Sequence, residues 1–220
     1  KSLWFFGALK FLNNKLGKPL SDHSLTNLFD YWVSLILRKP LGKWIFTGYS
    51  GYCEKSLLKA KKLGAITIVE RACPHIDFQV QLVAEEKERL LGQTAKLISK
   101  DQQSVYNRMK REYSIADYIV VPSKYSAKSF LEKGFSESKI IVVPLCNEKN
   151  ITGKHPIKTD QFRVLCIGGN FYRKGIYYLL EAWRSLDLKN ATFVIKNDIP
   201  SEFRDLANLP NIEIIDKYLT

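Results

Sequence analysis

The stretch VLCIGGNFYRKGIYYLLEAWRSL combines a short apolar run, two glycines and an Arg-Lys pair. The apolar run is typical of a buried parallel strand. Gly168 and Gly169 allow a tight turn and let a ligand approach the backbone closely. Arg173 and Lys174 then stand at the start of a predicted amphipathic helix, whose N-terminus has unpaired N–H groups and a positive dipole. Cations at that position are favourable when an anion shares the site, so the stretch predicts a phosphate site.

The composition is that of an ordinary globular protein, with 45% hydrophobic and 25% charged residues in a chain of 220. The four cysteines are scattered, which favours a reducing compartment, and we expect a cytoplasmic protein. The apolar run YWVSLIL at 31–37 is too short to span a membrane. The sequence contains no HExxH, Cys/His ladder or D-x-D pair, so we expect neither a metal site nor a cofactor.

The net charge of +12 is concentrated near the N-terminus, where residues 1–70 hold 11 Lys/Arg and 4 Asp/Glu. Residues 1–18, KSLWFFGALKFLNNKLGK, place Trp4, Phe5 and Phe11 on one helical face flanked by lysines. Such a helix could contact an anionic membrane surface or receive a lipid-linked substrate. The alternative is a core-facing helix with solvated lysines. No RRM, KH or zinc-finger pattern accompanies the charge, so we expect no nucleic-acid partner.

Short apolar strands alternate with helical segments along most of the chain, which predicts parallel sheets. The predicted strands lie at 43–48, 65–70, 117–121, 139–143, 163–167, 191–196 and 211–215. The predicted helices lie at 53–63, from 76 to about 116 with a break near Gly92, from 122 to Gly134, at 174–186 and, briefly, at 201–207. The polar segment 146–161 has lost this pattern and is predicted to be a linker. We therefore predict an N-terminal domain at 1–145 and the first part of a C-terminal domain at 162–220.

Three stretches carry a resemblance to a known family: residues 115–145, which begin IADYIVVPS, residues 166–183, which begin CIGGNFYRKG, and residues 71–86, which begin RACPH. They resemble family 4 glycosyltransferases of GT-B architecture, of the type that builds bacterial surface glycans. IADYIVVPSKYSAKSFLEKGFSESKIIVVPL (115–145) is similar to the segment that closes the first domain of that family. CIGGNFYRKGIYYLLEAW (166–183) is similar to its donor-phosphate loop and helix, and RACPHIDFQVQLVAEE (71–86) to a segment in which a His precedes a helix with a Glu pair. Together they cover roughly half of the chain.

The resemblance implies an α/β fold with two Rossmann-like parallel-sheet domains, the second incomplete in this chain. It implies a retaining, metal-independent transferase that moves a sugar from a nucleoside-diphosphate donor, bound between the domains, to a glycan or lipid-linked acceptor. By resemblance, the donor diphosphate would be held by Gly168, Gly169, Asn170, Arg173 and Lys174. The remaining candidates are His75, facing the reacting centre, and Ser50 with Gly51 in an acceptor loop.

The chain departs from the family pattern at several points. Leu145-Cys146-Asn147-Glu148 stands where the family often has N-G-V-D, and Gly169 stands where an arginine often follows the first loop glycine. The acidic motif that grips the donor sugar is expected beyond Thr220, and the glycine-rich loop of the first domain is expected before Lys1.

Two other functions remain open from the residues alone. A dinucleotide-binding oxidoreductase would need G-x-G-x-x-G with an acid about 20 residues later, and Gly168-Gly169 does not complete that motif. A non-catalytic module that binds membranes or nucleic acid would use the basic N-terminal third, and its binding would be sensitive to salt but not to loss of Lys174.

Overall fold

The computed structural model describes residue 15 and residues 21–92, 100–146 and 162–215. These residues fall into two compact units. The described part of the first comprises 21–81 and 100–146, and that of the second comprises 82–92 and 162–215. The predicted linker at 146–161 lies outside the described residues except for Cys146, as do residues 1–18 except for Lys15.

The first unit is a parallel sheet whose strands alternate with helices along the chain. Its elements are α1 (Asp22–Ile36), β1 (Ile45–Tyr49), α2 (Glu54–Lys62), β2 (Ile66–Glu70), the start of α3 (Ile76–Leu91), α4 (Lys100–Ile115), β3 (Tyr118–Val121), α5 (Lys124–Leu131), a 3-10 turn (Glu137–Lys139) and β4 (Ile140–Val142). The strands lie in the order β1-β2-β3-β4, with Ile45 opposite Ile66, Ile68 opposite Tyr118 and Ile119 opposite Ile140.

One face of this sheet forms the core of the unit. Because successive strand residues point to opposite faces, Val69, Ile119 and Val121 share a face. They pack in one core with residues of four helices: Leu57 in α2, Ile76 in α3, Tyr113 in α4 and Phe130 in α5. Among the described residues, the opposite face leaves large apolar side chains exposed, at Ile45, Tyr49, Ile66, Tyr118 and Ile141.

The second unit is built in the same way. Its elements are β5 (Phe162–Ile167), α6 (Ile176–Leu186), β6 (Ala191–Lys196), a 3-10 helix (Ser201–Ala207) and β7 (Ile212–Ile214), and the strands are parallel in the order β5-β6-β7. Phe193 and Ile195 of β6 pack under Ile176, Leu180 and Trp183 of α6. Leu90 and Leu91, at the end of α3, pack against this core.

The predicted α/β class with two parallel-sheet, Rossmann-like units is therefore confirmed. The predicted strands are all present within about two residues of their expected limits, and the helical region after residue 76 does break at Gly92, which has φ +64°. The short helix at 201–207 is a 3-10 helix, and the helix predicted from residue 174 begins at Ile176. No helix among the described residues is both long and apolar enough to cross a membrane.

A buried carboxylate from α1 caps the next helix. The N-cap residue of α2, Cys53, makes no side-chain capping bond. Instead, Asp30 accepts hydrogen bonds from the N–H groups of Lys55 (2.7 Å) and Ser56 (2.9 Å) and from the Ser56 hydroxyl (2.6 Å). Asp30 is 1% exposed. A carboxylate at a helix N-terminus satisfies orphan donors and complements the helix dipole, so this contact fixes α1 against α2.

We expect Asp30→Ala to lower the free energy of unfolding of the first unit by about 2–4 kcal/mol, since it leaves buried N–H donors without an acceptor. Urea denaturation followed by circular dichroism measures the change. The matched control is Glu132→Ala, which removes an exposed carboxylate 3.7 Å from Lys128 and should cost about 0.5 kcal/mol or less. Equal losses in the two variants would contradict the capping role.

Candidate functional site

The glycine turn after β5 has the backbone conformation that the sequence analysis anticipated. Gly168 has φ +150°, and its N–H donates to the carbonyl of Lys196 at 3.2 Å. Its carbonyl accepts a hydrogen bond from the side-chain amide of Asn197. Gly169 is exposed, and a Cβ added there would meet open space. The turn is therefore anchored to β6 on one side and open to an approaching ligand on the other.

Lys174 lies across this turn. A Cβ on Gly168 would lie 2.7 Å from Cε of Lys174 and 3.4 Å from its Nζ, so the absence of a side chain makes room for the lysine. Arg173 and Lys174 are exposed, and neither side chain forms an ion pair with a described residue. Two cations without carboxylate partners thus stand beside a glycine turn, where an anion would find charge and accessible backbone.

The segment that carries these cations is a turn before the helix. Asn170 adopts a left-handed conformation, φ 66°, and its side-chain oxygen accepts the N–H of Arg173 at 3.0 Å. The N–H of Lys174 donates to the carbonyl of Asn170 at 3.1 Å, and Gly175, φ 65°, is the N-cap of α6. Asn170 is therefore a structural residue of the turn as well as a candidate ligand, because its amide oxygen is already engaged.

Asn197 is a site residue that sequence reasoning missed. It is 6% exposed and directly follows β6. A polar residue immediately after a buried strand is the signal that could have identified it. Beside it, within the second unit, lies a cavity of about 520 Å³ with several polar side chains, lined by Asn197, Asp198, Ile199, Arg204, Asp205, Ala207, Asn208 and Ile214.

In the first unit, His75 lies inside an aromatic cluster. It is 3% exposed, and its ring centroid lies 5.2 Å from that of Tyr113, 5.1 Å from Phe130 and 5.8 Å from Phe135. Its backbone N–H donates to the Ser129 hydroxyl at 2.8 Å. Burial lowers the pKa of His75 to about 4, so the ring is neutral at pH 7.

His75 also caps α3. Its Nδ1 accepts the N–H of Asp77 at 3.2 Å, and its carbonyl accepts the N–H of Gln79 at 2.9 Å. Since Nδ1 is the acceptor, the neutral ring carries its proton on Nε2. In this arrangement His75 can donate a hydrogen bond from Nε2, but the lone pair that a general base would use is engaged in the cap.

Ser50 and Gly51 form a closed turn after β1. The Ser50 hydroxyl donates to the Tyr113 hydroxyl at 3.0 Å. Gly51, φ 93°, donates its N–H to Glu112, and a Cβ at Gly51 would lie 2.9 Å from Cε of Met109. The glycine is thus covered by the protein itself, and the structure connects Ser50 with His75 through their shared contact with Tyr113.

Glu112 and Tyr113 of α4 were not identified from the sequence. Glu112 is 0% exposed and accepts the N–H of Cys53 at 2.9 Å in addition to that of Gly51. Burial raises the pKa of Glu112. Its sequence context, Arg-Glu-Tyr in a polar helix, resembles a solvated face, so the chain offers no local signal of this role.

A second cavity, of about 340 Å³, lies at the carboxyl ends of the strands in the first unit. Its polar lining comes from Tyr49, Glu70 and Arg71, and the rest is largely apolar: Ala72, Val120, Val121, Pro122, Val143, Pro144, Leu145 and Cys146. The Arg71 side chain is held by Pro74 O (3.2 Å) and Gln79 Oε1 (2.9 Å). None of Ser50, Gly51 and His75 lines this cavity. In the described ranges, no three His, Cys, Asp or Glu side chains are grouped to hold a metal ion.

Comparison of the sequence with protein-family models finds no match, and comparison with curated proteins finds none either. Solved structures with a similar fold include S. aureus MnaA with UDP (14% identity, TM-score 0.44, 93% of this chain and 56% of that chain). A protein assigned as a UDP-N-acetylglucosamine 2-epimerase from Listeria monocytogenes matches with 13% identity and a TM-score of 0.46, over 93% of this chain and 55% of that chain. The glycotransferase of kitacinnamycin matches with 12% identity and a TM-score of 0.45, over 89% and 54%. The chain spans about half the length of these structures, and similarity at this level carries no argument about activity.

The buried His75 ring generates a pH dependence of stability. The unfolded chain binds a proton near pH 6.5 and the folded one only near pH 4. The contribution of His75 to stability is therefore fully present above pH 6.5 and is lost as the pH falls toward 4, with a slope of up to about 1 kcal/mol per pH unit. His75→Asn keeps a side-chain cap and should lack this slope.

Chemical denaturation at several pH values between 6.5 and 4 measures the difference. Glu112, whose pKa is raised, contributes the opposite trend, since its stabilisation is present at low pH and declines as the pH rises above 4.5. That trend is common to both proteins and cancels in the comparison. Parallel pH profiles for the wild type and His75→Asn would contradict the buried, neutral state of the imidazole.

Proposed function

We propose that the protein is a glycosyltransferase that takes its sugar from a nucleoside-diphosphate donor, with the donor diphosphate bound at the turn after β5. The observation that carries the proposal is Lys174, which lies across Gly168 without a carboxylate partner among the described residues. Gly169 leaves open space beside it. The resemblance of residues 166–183 to a donor-phosphate loop supports the same assignment.

The chemistry that this turn can supply is electrostatic. Sugar transfer leaves a nucleoside diphosphate on which negative charge develops, and fixed cations and N–H donors can stabilise that charge in place of a divalent metal. Lys174 and Arg173 provide the cations, and the Gly168-Gly169-Asn170 turn provides close backbone access. We therefore propose that the enzyme needs no metal ion. By resemblance, it would retain the anomeric configuration of the transferred sugar.

The other unit would contribute the acceptor side. A glycan or lipid-linked acceptor remains the proposed partner, with peripheral membrane contact through residues 1–18, which lie outside the described residues except for Lys15. His75 would act as a hydrogen-bond donor through Nε2, since its Nδ1 lone pair caps α3. Ser50 and Gly51 would act by shaping the acceptor loop, because their polar groups are already bonded to Tyr113 and Glu112.

The first test is nucleotide binding by the full-length protein. We expect one of UDP, GDP and ADP to raise the melting temperature, and Lys174→Ala to weaken its binding about 10- to 100-fold, as expected for loss of a charged hydrogen bond. Lys189→Ala, which removes an exposed lysine elsewhere in the same unit, is the matched control. Identical binding by Lys174→Ala and the wild type would remove the basis of the proposal.

The second test follows the reaction. With the bound nucleotide's sugar as donor, transfer releases the free nucleoside diphosphate and requires an acceptor. Rearrangement of the sugar while it stays on the nucleotide would contradict transfer, and loss of activity in excess EDTA would contradict the metal-independent mechanism.

A further inference from the structure

The outer face of α1 is apolar and uncovered among the described residues. The helix buries one side, at Leu25, Thr26 and Asp30, against the first unit. Its opposite side forms what we term the α1 surface, which comprises Leu28 (40% exposed), Tyr31 (48%) and Leu35 (58%), spaced three, four and seven residues apart on one helical face. A helix that is apolar on both sides has a second face that can be buried against a partner. A contiguous exposed apolar patch of this kind marks an interaction site.

The chain segment that follows α1 is basic. From Tyr31 to Cys53 the sequence contains Arg38, Lys39 and Lys43 and no Asp or Glu. These three side chains are exposed and form no ion pair with a described residue. Lys55 joins them from α2, with its Nζ 4.9 Å from the centroid of the Tyr31 ring. The one acidic residue of α1 beyond its first turn, Asp30, is buried and bonded to α2.

We propose that the α1 surface and the basic residues beside it form a docking site for an anionic lipid membrane. The exposed Leu and Tyr side chains would enter the headgroup region, while Arg38, Lys39, Lys43 and Lys55 would contact lipid phosphates. A soluble polyanion would use the cations but leave the apolar side chains in water. An anionic bilayer satisfies both sets at once.

Charge complementarity distinguishes this occupant from the chain's own N-terminal segment. Residues 1–18 contain four lysines and no acidic residue, so packing them on this surface would bring like charges together. The site lies on a different element from residues 1–18 and does not depend on the nucleotide site. Failure of the vesicle test below therefore leaves the proposed transferase activity untouched, and the reverse holds too.

The experiment is flotation of the full-length protein with vesicles, without nucleotide. One vesicle set is phosphatidylcholine alone, and the other is an equal mixture of phosphatidylcholine and phosphatidylglycerol. We expect binding to the anionic vesicles that weakens with added salt. The double variant Arg38→Gln/Lys39→Gln should lower the partition coefficient about 30-fold, at roughly fivefold per cation. The apolar double variant Leu28→Ser/Leu35→Ser should lower it about 100-fold or more.

Matched controls separate this surface from general charge and hydrophobicity. Lys124→Gln/Lys128→Gln removes two exposed lysines from α5, and Leu186→Ser removes an exposed leucine from α6; both should bind as the wild type does. Trp4→Ser/Phe5→Ser probes residues 1–18. Loss of binding in that variant alone, with the α1 variants unaffected, would overturn the proposal.

Thermal unfolding of the same variants completes the test. If the α1 surface faces water in the free protein, Leu28→Ser/Leu35→Ser should leave the melting temperature within a few degrees of the wild type. A large fall would mean that another part of the protein covers these side chains, and it would overturn the proposal. Equal binding to both vesicle sets, or to neither, would also overturn it.

Discussion

Two buried carboxylates hold the segment that follows β1, and the first unit depends on them. Glu112 accepts the N–H groups of Gly51 and Cys53, and Asp30 accepts those of Lys55 and Ser56. Burying a carboxylate is costly unless hydrogen bonds compensate it, and here helix N-terminal donors do so. Because Asp30 belongs to α1 and Glu112 to α4, the same bonds fix both helices to the carboxyl edge of the sheet.

The two glycine turns differ in accessibility despite similar sequence settings. Each follows a strand and each contains glycine with positive φ. In the first unit, Glu112 holds the Gly51 N–H and the Met109 side chain covers the glycine, so the turn is part of the core. In the second unit, Gly169 faces open space and Lys174 lies across the neighbouring glycine. Room for a phosphate therefore exists at the second turn.

The sequence predicted the strands and most helices because apolar periodicity and glycine positions are local signals. It also located the turn at 168–174. It placed the helix start two residues early, since Asn170 and Gly175, both left-handed, keep the chain in a turn until Ile176. The roles of Glu112 and Asn197 depend on contacts distant in sequence, with the 51–53 segment and with Gly168. Asn197 has a local signal, its position directly after a buried strand, whereas no local pattern indicates the role of Glu112.

The unpaired cations link the two proposals through one physical argument. Exposed basic residues in this protein often have carboxylate neighbours, as Lys61 has Asp117 and Arg111 has Glu54. Other exposed cations have no carboxylate partner among the described residues. Of these, Arg173 with Lys174, and the basic residues at 38–43, each lie beside a distinctive structural feature. At the first it is an open glycine turn, and at the second an uncovered apolar helix face. An anion fits both places, but a diphosphate suits a turn with accessible backbone and a bilayer suits a face rich in leucine. A transferase with both sites would hold a soluble donor in one unit while the other rests on the membrane that carries a lipid-linked acceptor.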